Sequence, residues 1–248
     1  MKKKKRPAIG RDFMRRTQFK MMDPSDQQLN KPGPPIFNPP HPSLKTVDLP
    51  AAQDVTLNEI SLRYAIDNRK SEREFLVDHS IPLGALACLL WATQGVKEAD
   101  RMDAFKTVPS AGARHPLECF VLAQRVDDLE PGLYRYVGPE HHIQNLEAPD
   151  DMAEKIASTT LQPELIQNSA VTFIWTAVAY RMTWRYGDRG YRYIHLDAGH
   201  VGQNLYLAAQ AVGCGVCTTA AFNDDDLNRT RGIDGNDHFA VYMGAVGR

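Results

Sequence analysis

Several common signatures are missing from this sequence, and each absence removes a class of function. The chain contains neither a Walker phosphate loop nor a G-x-G-x-x-G fingerprint, so two widespread nucleotide cradles are excluded. It has four cysteines in 248 residues, Cys88, Cys119, Cys214 and Cys217, all in apolar surroundings. With no secretory segment ahead of them, they read as reduced core thiols of a cytoplasmic protein. Cys214 and Cys217 have redox-motif spacing, but they follow a helical stretch instead of opening one, which disfavours a redox or zinc role. His195 and His200 are five apart and share no helix face, and His141-His142 falls in a predicted turn, so no metal site is expected. No apolar run approaches membrane-spanning length, and Arg15-Arg16 before Phe19 resembles a twin-arginine signal without its apolar run. Net charge is also nearly absent, at −1. That balance hides an asymmetry: residues 1–20 carry nine Lys/Arg against the single acid Asp12, which leaves residues 21–248 at −9. An acidic body argues against a nucleic-acid partner, and nothing points to a membrane.

What is present fits one globular domain with an extension. Apolar residues make up 43% and charged residues 24%, ordinary values for a folded chain of this length. Residues 1–50 form a basic arm with seven of the sixteen prolines between Pro32 and Pro50, which favours extended backbone. Such an arm is expected to wrap a neighbouring subunit. From residue 51 the pattern becomes regular. Thr56-Leu-Asn-Glu59 is a capping-box pattern opening a helix to about Asp67. Ser80 and Pro82 open a second helix ending at Gln94 before Gly95. Strand-like runs occupy 118–123, 133–137, 143–146, 170–179 and 239–245, with a helical stretch at 149–160. Strands and helices alternate without strict βαβ periodicity, so an α+β sheet packed with helices is expected for residues 51–248.

The chain is organised around residues 197–222. Small and apolar residues from Ala198 to Val212 fall on almost every side of a helix beginning near Tyr191, which predicts a buried central helix. Gly213 and Gly215 end it, and Thr218-Thr219-Ala220-Ala221 then has no bulk to keep a backbone away from a flat ligand. Two other stretches carry chemistry. Arg69, Lys70, Ser71 and Arg73 crowd donors into five residues and suit a phosphate, although Glu72 and Glu74 allow a plain charged turn. Pro109-Ser110-Ala111-Gly112 is a small-residue loop entering a strand, able to lie along a planar ring or to be a simple turn. Arg185, Tyr186, Arg189 and Tyr193 belong to a basic–aromatic segment before the central helix, readable as a substrate lip or as a structural loop.

In this order the motifs resemble the nitroreductase family of flavin enzymes, and more closely its SagB-type dehydrogenase branch. The resemblance rests on Arg69-x-Ser71-x-Arg73-x-Phe75, Pro109-Ser-Ala-Gly112 with Pro116-Leu-Glu118, Asp197-Ala-Gly-His200 with Gln203-Asn204, Gly213-Cys-Gly215, and Gly247-Arg248. The arm from Gly10 to Gln27 is similar to that branch's opening. It implies a three-layer α/β/α fold with a mostly antiparallel central sheet, and FMN at a homodimer interface. Arg69, Lys70, Ser71 and Arg248 would take the phosphate, with Arg73 at the flavin N1/O2 edge. Pro109, Ser110, Ala111 and Gly112 would line the ring or ribityl chain, with Thr218, Thr219, Ala220 and Ala221 approaching from the other side. No catalytic side chain is then obligatory, since the flavin carries the hydride chemistry. Many nitroreductases have Asn at the position of Ala113 and Gln at that of His115, whereas Ala is common in the SagB-type branch. Two functions follow: NAD(P)H-dependent reduction of nitro or quinone-type compounds, or dehydrogenation of a small-molecule or peptide substrate such as an azoline. The alternative is a flavin-free binding or scaffold subunit that keeps the fold.

Overall fold

The structure, a computed structural model, describes residues 8–99 and 104–248. The arm contains α1 (Ile9–Arg16) and β1 (Thr46–Asp48); its basic run at 2–6 lies outside the described residues. Then follow α2 (Leu62–Asn68), α3 (Leu83–Gln94) and the ribbon β2 (Val96–Ala99) and β3 (Ala104–Lys106). A meander comes next, β4 (Leu117–Ala123), β5 (Gly132–Val137) and β6 (His142–Asn145), then α4 (Met152–Ser158) and α5 (Pro163–Gln167). The last third holds β7 (Val171–Val178), α6 (Ala179–Tyr186), α7 (Gly190–Ala211), β8 (Gly215–Thr219), α8 (Asp224–Arg231) and β9 (His238–Gly247).

Seven strands form the central sheet in the order β1-β6-β5-β4-β7-β9-β8, every neighbouring pair antiparallel. Alternation along β4 and β7 supplies two cores. Val121, Phe173 and Trp175 face α3 and α7, while Phe120, Leu122 and Ile174 face α4, α5 and α8. The result is the expected α/β/α sandwich, with β4 and β7 buried along nearly their whole length. Helix α7 packs Ile194, Ala198, Val201, Leu205 and Ala209 against the sheet at helical spacing. A Cβ on Gly202 would lie 2.7 Å from Tyr242, and one on Gly244 would lie 2.7 Å from Leu205, so both glycines allow α7 and β9 to approach.

Two expectations need correction. The first helix begins at Leu62, not at Thr56: Ser61 is its cap, accepting from the Tyr64 N–H, while Asn58 is pinned by its N–H to the Ala211 carbonyl. The central helix is not enclosed on almost every side: Leu196, Gly199, His200 and Gln203 form an exposed stripe along it. The described arm packs on its own chain. The Gln27 N–H meets the Trp184 carbonyl, the Trp184 indole meets the Lys31 carbonyl, and β1 pairs with β6. All four cysteines are buried and unpaired. Among the described residues no helix is long and apolar enough to cross a membrane, and no His/Cys/Asp/Glu cluster could hold a metal.

Arm and sheet meet at a buried carboxylate. Glu118 is 2.6 Å from Arg181 and 3.4 Å from Arg135. Burial alone would raise its pKa, but the Arg181 and Arg135 guanidinium groups hold it below the ordinary carboxylate range. Breaking a buried pair leaves uncompensated charge and costs about 3–5 kcal/mol. Glu118→Gln is therefore expected to lower the thermal midpoint by about 10 °C, which a calorimetric melt measures.

Candidate functional site

The sequence-predicted residues form two groups. The first surrounds Tyr206 of α7, which is 8% exposed. Residues 71–72 run along the outer edge of β8, Ser71 bridging Val216 and the Glu72 N–H donating to the Val216 carbonyl at 2.8 Å. That pairing sets the Ser71 hydroxyl 2.9 Å from the Tyr206 hydroxyl. The Thr218 N–H donates to the same Tyr206 oxygen at 3.0 Å, and Tyr242 donates to the Thr218 hydroxyl at 2.6 Å. Arg69 lies over the Tyr206 ring, 5.3 Å from its centroid. Lys70 is drawn to Glu72 at 2.7 Å. Among the described residues Arg69 and Arg73 have no carboxylate within ion-pair distance; Arg73 contacts the Ser71 carbonyl at 3.3 Å. Two guanidinium groups therefore stand beside the small-residue segment that continues to Thr219, Ala220 and Ala221, none of which is buried.

Arg248 sits apart from these contacts. Its carbonyl accepts from the Leu76 N–H, and its side chain lies beside Cys214, where burial pushes the thiol up to about 11. It borders a cleft of about 630 Å³ with Asp54, Asn58 and Gly213.

The second group surrounds Asp197, 4% exposed near the start of α7. Ser110 donates to Asp197 Oδ2 at 2.5 Å and accepts from the His115 N–H at 2.9 Å; the Ala111 N–H reaches Oδ1 at 3.3 Å. Burial raises the Asp197 pKa against those hydrogen bonds, while burial and then Lys106 lower that of His115 to about 4. The loop is strained: Gly112, Ala113 and His115 all have positive φ, at 58°, 53° and 43°. Only the glycine adopts this freely, and such strain gathers at functional sites. A Cβ on Gly112 would collide with the Tyr186 hydroxyl and with Arg185, so the loop abuts the predicted lip. That lip is not a loop: Arg185 and Tyr186 end helix α6, Arg189 lies in a 3-10 turn, and Tyr193 is in the first turn of α7. Tyr186 and Tyr193 meet edge to face at 4.8 Å, and Arg189 donates to the Tyr193 hydroxyl at 2.7 Å. Pro109 is exposed at the start of this loop.

The chain does not bring the two groups together. Asp197 and Tyr206 are nine residues apart on α7, about 13.5 Å along the axis and half a turn around it. They flank the exposed stripe from opposite sides. Sequence reading missed Tyr206, Tyr242 and Asp197 as site residues; the one available signal was Asp197, the single carboxylate of α7.

The sequence pattern of the nitroreductase family matches residues 66–248. A relative named as a nitroreductase, MJ1384 of Methanocaldococcus jannaschii, is 34% identical over 181 residues, covering 73% of this chain and 86% of its own. A nitroreductase structure from Anabaena variabilis superposes with a TM-score of 0.67 at 25% identity, covering 84% of this chain. This chain spans only 42% of that one. The E. coli microcin synthetase McbBCD complex with truncated pro-MccB17 shares the fold, with a TM-score of 0.61 at 17% identity over 97% of this chain and 92% of the other.

Tyr206→Phe leaves the part-buried Thr218 N–H and the Ser71 hydroxyl without that partner, a loss of about 1 kcal/mol. The expected outcome is a lower unfolding midpoint in urea, with faster amide exchange at Thr218.

Proposed function

The chain belongs to the nitroreductase family, and from that premise we propose that it is an FMN-dependent oxidoreductase acting as a homodimer. One observation carries the reading: among the described residues Arg69 and Arg73 gather without carboxylate partners beside Ser71 and the open Thr218–Ala221 segment. This donor set fits a phosphate ester joined to a flat ring. Guanidinium groups supply paired donors to phosphate oxygens, Ser71 adds a neutral one, and small residues let the ring approach. Arg69, Lys70 and Ser71 would hold the phosphate. FMN, when bound, supplies hydride transfer at its ring. Arg73 would set a fixed cation at the N1/O2 edge, where it favours negative charge on the ring. Arg248, beside Cys214, would serve the phosphate only by turning from that thiol.

The dimer follows from α7. If both groups line one flavin, a second copy must supply one of them, because within a chain they lie on opposite flanks of the helix. A two-fold axis through the Leu196–Gly199–Gln203 stripe would set the Pro109–Gly112 loop of one copy against the Tyr206 group of the other. Arg185, Tyr186, Arg189 and Tyr193 then border the ring and grip the second substrate. For a reductase that substrate is a nicotinamide nucleotide followed by a nitro or quinone-type acceptor. For a SagB-type dehydrogenase it is an azoline-bearing molecule or peptide, and the shared fold with the microcin synthetase complex supports this branch. A flavin-free scaffold subunit is the second reading, favoured by the Ser110 hydroxyl being committed to Asp197 and by Ala113 offering no side-chain hydrogen bond.

The decisive experiment is an absorbance spectrum before and after adding FMN, then NADH or NADPH. Flavin bands that bleach with a nicotinamide support the reductase, and bands that bleach only with an azoline peptide support the dehydrogenase. No flavin binding after titration overturns the enzyme reading. Arg69→Ala is expected to raise the FMN dissociation constant by about tenfold or more, the loss of one charge-assisted contact. Gly199 lies on the stripe, and a Cβ there would meet no atom within 4 Å, so the chain itself has room for a side chain. Gly199→Arg should therefore fold normally and give monomers by analytical ultracentrifugation.

A further inference from the structure

Behind the Ser110–His115 loop, where Lys106 and Arg181 are close enough to lower the His115 pKa, four charged side chains close around a small cavity under the arm. Arg181 is 2% exposed and uses two of its three guanidinium nitrogens: Nη1 on Glu118, and Nε donating to the Pro35 carbonyl at 3.0 Å. Its Nη2 is buried with no hydrogen-bond partner among the described residues. Arg135 meets Glu118 and donates to the carbonyls of Asn38 and Pro39. Lys106 donates to Gln94 Oε1 at 2.9 Å and stands 5.3 Å from the centroid of the Phe37 ring. These side chains line a cavity of about 20 Å³.

The charges do not balance. Three basic side chains face one carboxylate, and Glu118 is the only acid within ion-pair distance of them among the described residues; burial lowers the Lys106 pKa to about 8, which leaves it mostly charged at neutral pH. On β9, burial lowers the pKa of the neighbouring His238, which is hydrogen-bonded to Thr176, so it does not add to the positive charge. A water could satisfy the Nη2 hydrogens but not the surplus charge, whose burial costs several kcal/mol. A small anion does both. The cavity, about 20 Å³, is small for a tetrahedral phosphate or sulfate and favours a monatomic anion. We propose that this cavity is a halide site, binding chloride against Arg181 Nη2 with Lys106 and Arg135 as flanking cations. By neutralising the guanidinium groups that hold the Pro35, Asn38 and Pro39 carbonyls, the ion clips the arm to the sheet. The site is independent of the flavin reading.

The test compares full-length protein in chloride, bromide and gluconate at equal ionic strength, and collects anomalous diffraction from bromide-soaked crystals. A halide-specific, saturable rise of about 5 °C in melting temperature is expected, together with slower proteolysis within residues 30–45. An anomalous peak should lie in the cavity beside Arg181. Lys106→Met should raise the half-saturating chloride concentration by about tenfold. Equal melting temperatures in all three salts, or no anomalous peak there at saturating bromide, would overturn the proposal, and both readouts use the unmutated protein.

Discussion

The helical repeat of α7 is the constraint on which the rest of the molecule depends. A period of 3.6 residues puts Asp197 and Tyr206 on opposite flanks and leaves the stripe between them open. Everything tied to those two side chains inherits the separation. The Ser110 loop follows Asp197, and the arginine segment with the Thr218 strand follows Tyr206. The opposite face of the helix carries Val201, Leu205 and Ala209 into the sheet, so α7 cannot rotate to relieve the arrangement without unpacking the core.

A second theme is how an arm with so many prolines is held. Proline gives up its N–H but keeps a carbonyl, so the arm is a row of acceptors. The body answers with donors: Arg181 to Pro35, Arg135 to Pro39, Trp184 to Lys31 and Arg189 to Thr17. Several of these donors project from α6 or the turn after it. The segment that borders the Gly112 loop therefore also anchors the arm, and the two cannot shift independently.

Much of this was legible in the sequence, for identifiable reasons. The strands β4 and β7 are continuous apolar runs, and α3 is bracketed by Pro82 and Gly95. The arginine segment stands out by charge density alone. Thr56 and Glu59 misled because a local capping pattern was overridden by a distant bond from Asn58 to Ala211. The helix α6 was hidden by its arginines and aromatics, which read as a loop although Ala179, Met182 and Trp184 are buried. The helix α8 is polar nearly throughout, yet the Asn223 cap, three leading aspartates and Gly232 were all visible as end signals. Tyr206 could not have been found locally, since its partner Ser71 is 135 residues away.

Both margins of the seven-stranded sheet are closed by irregular chain. The arm's three-residue β1 covers β6, and residues 71–72 cover β8. Neither margin offers a long row of free backbone groups, so the sheet cannot extend by edge-to-edge pairing with another molecule. Shedding the arm would uncover β6 and open a route to fibrous aggregation, so the arm doubles as a solubility device.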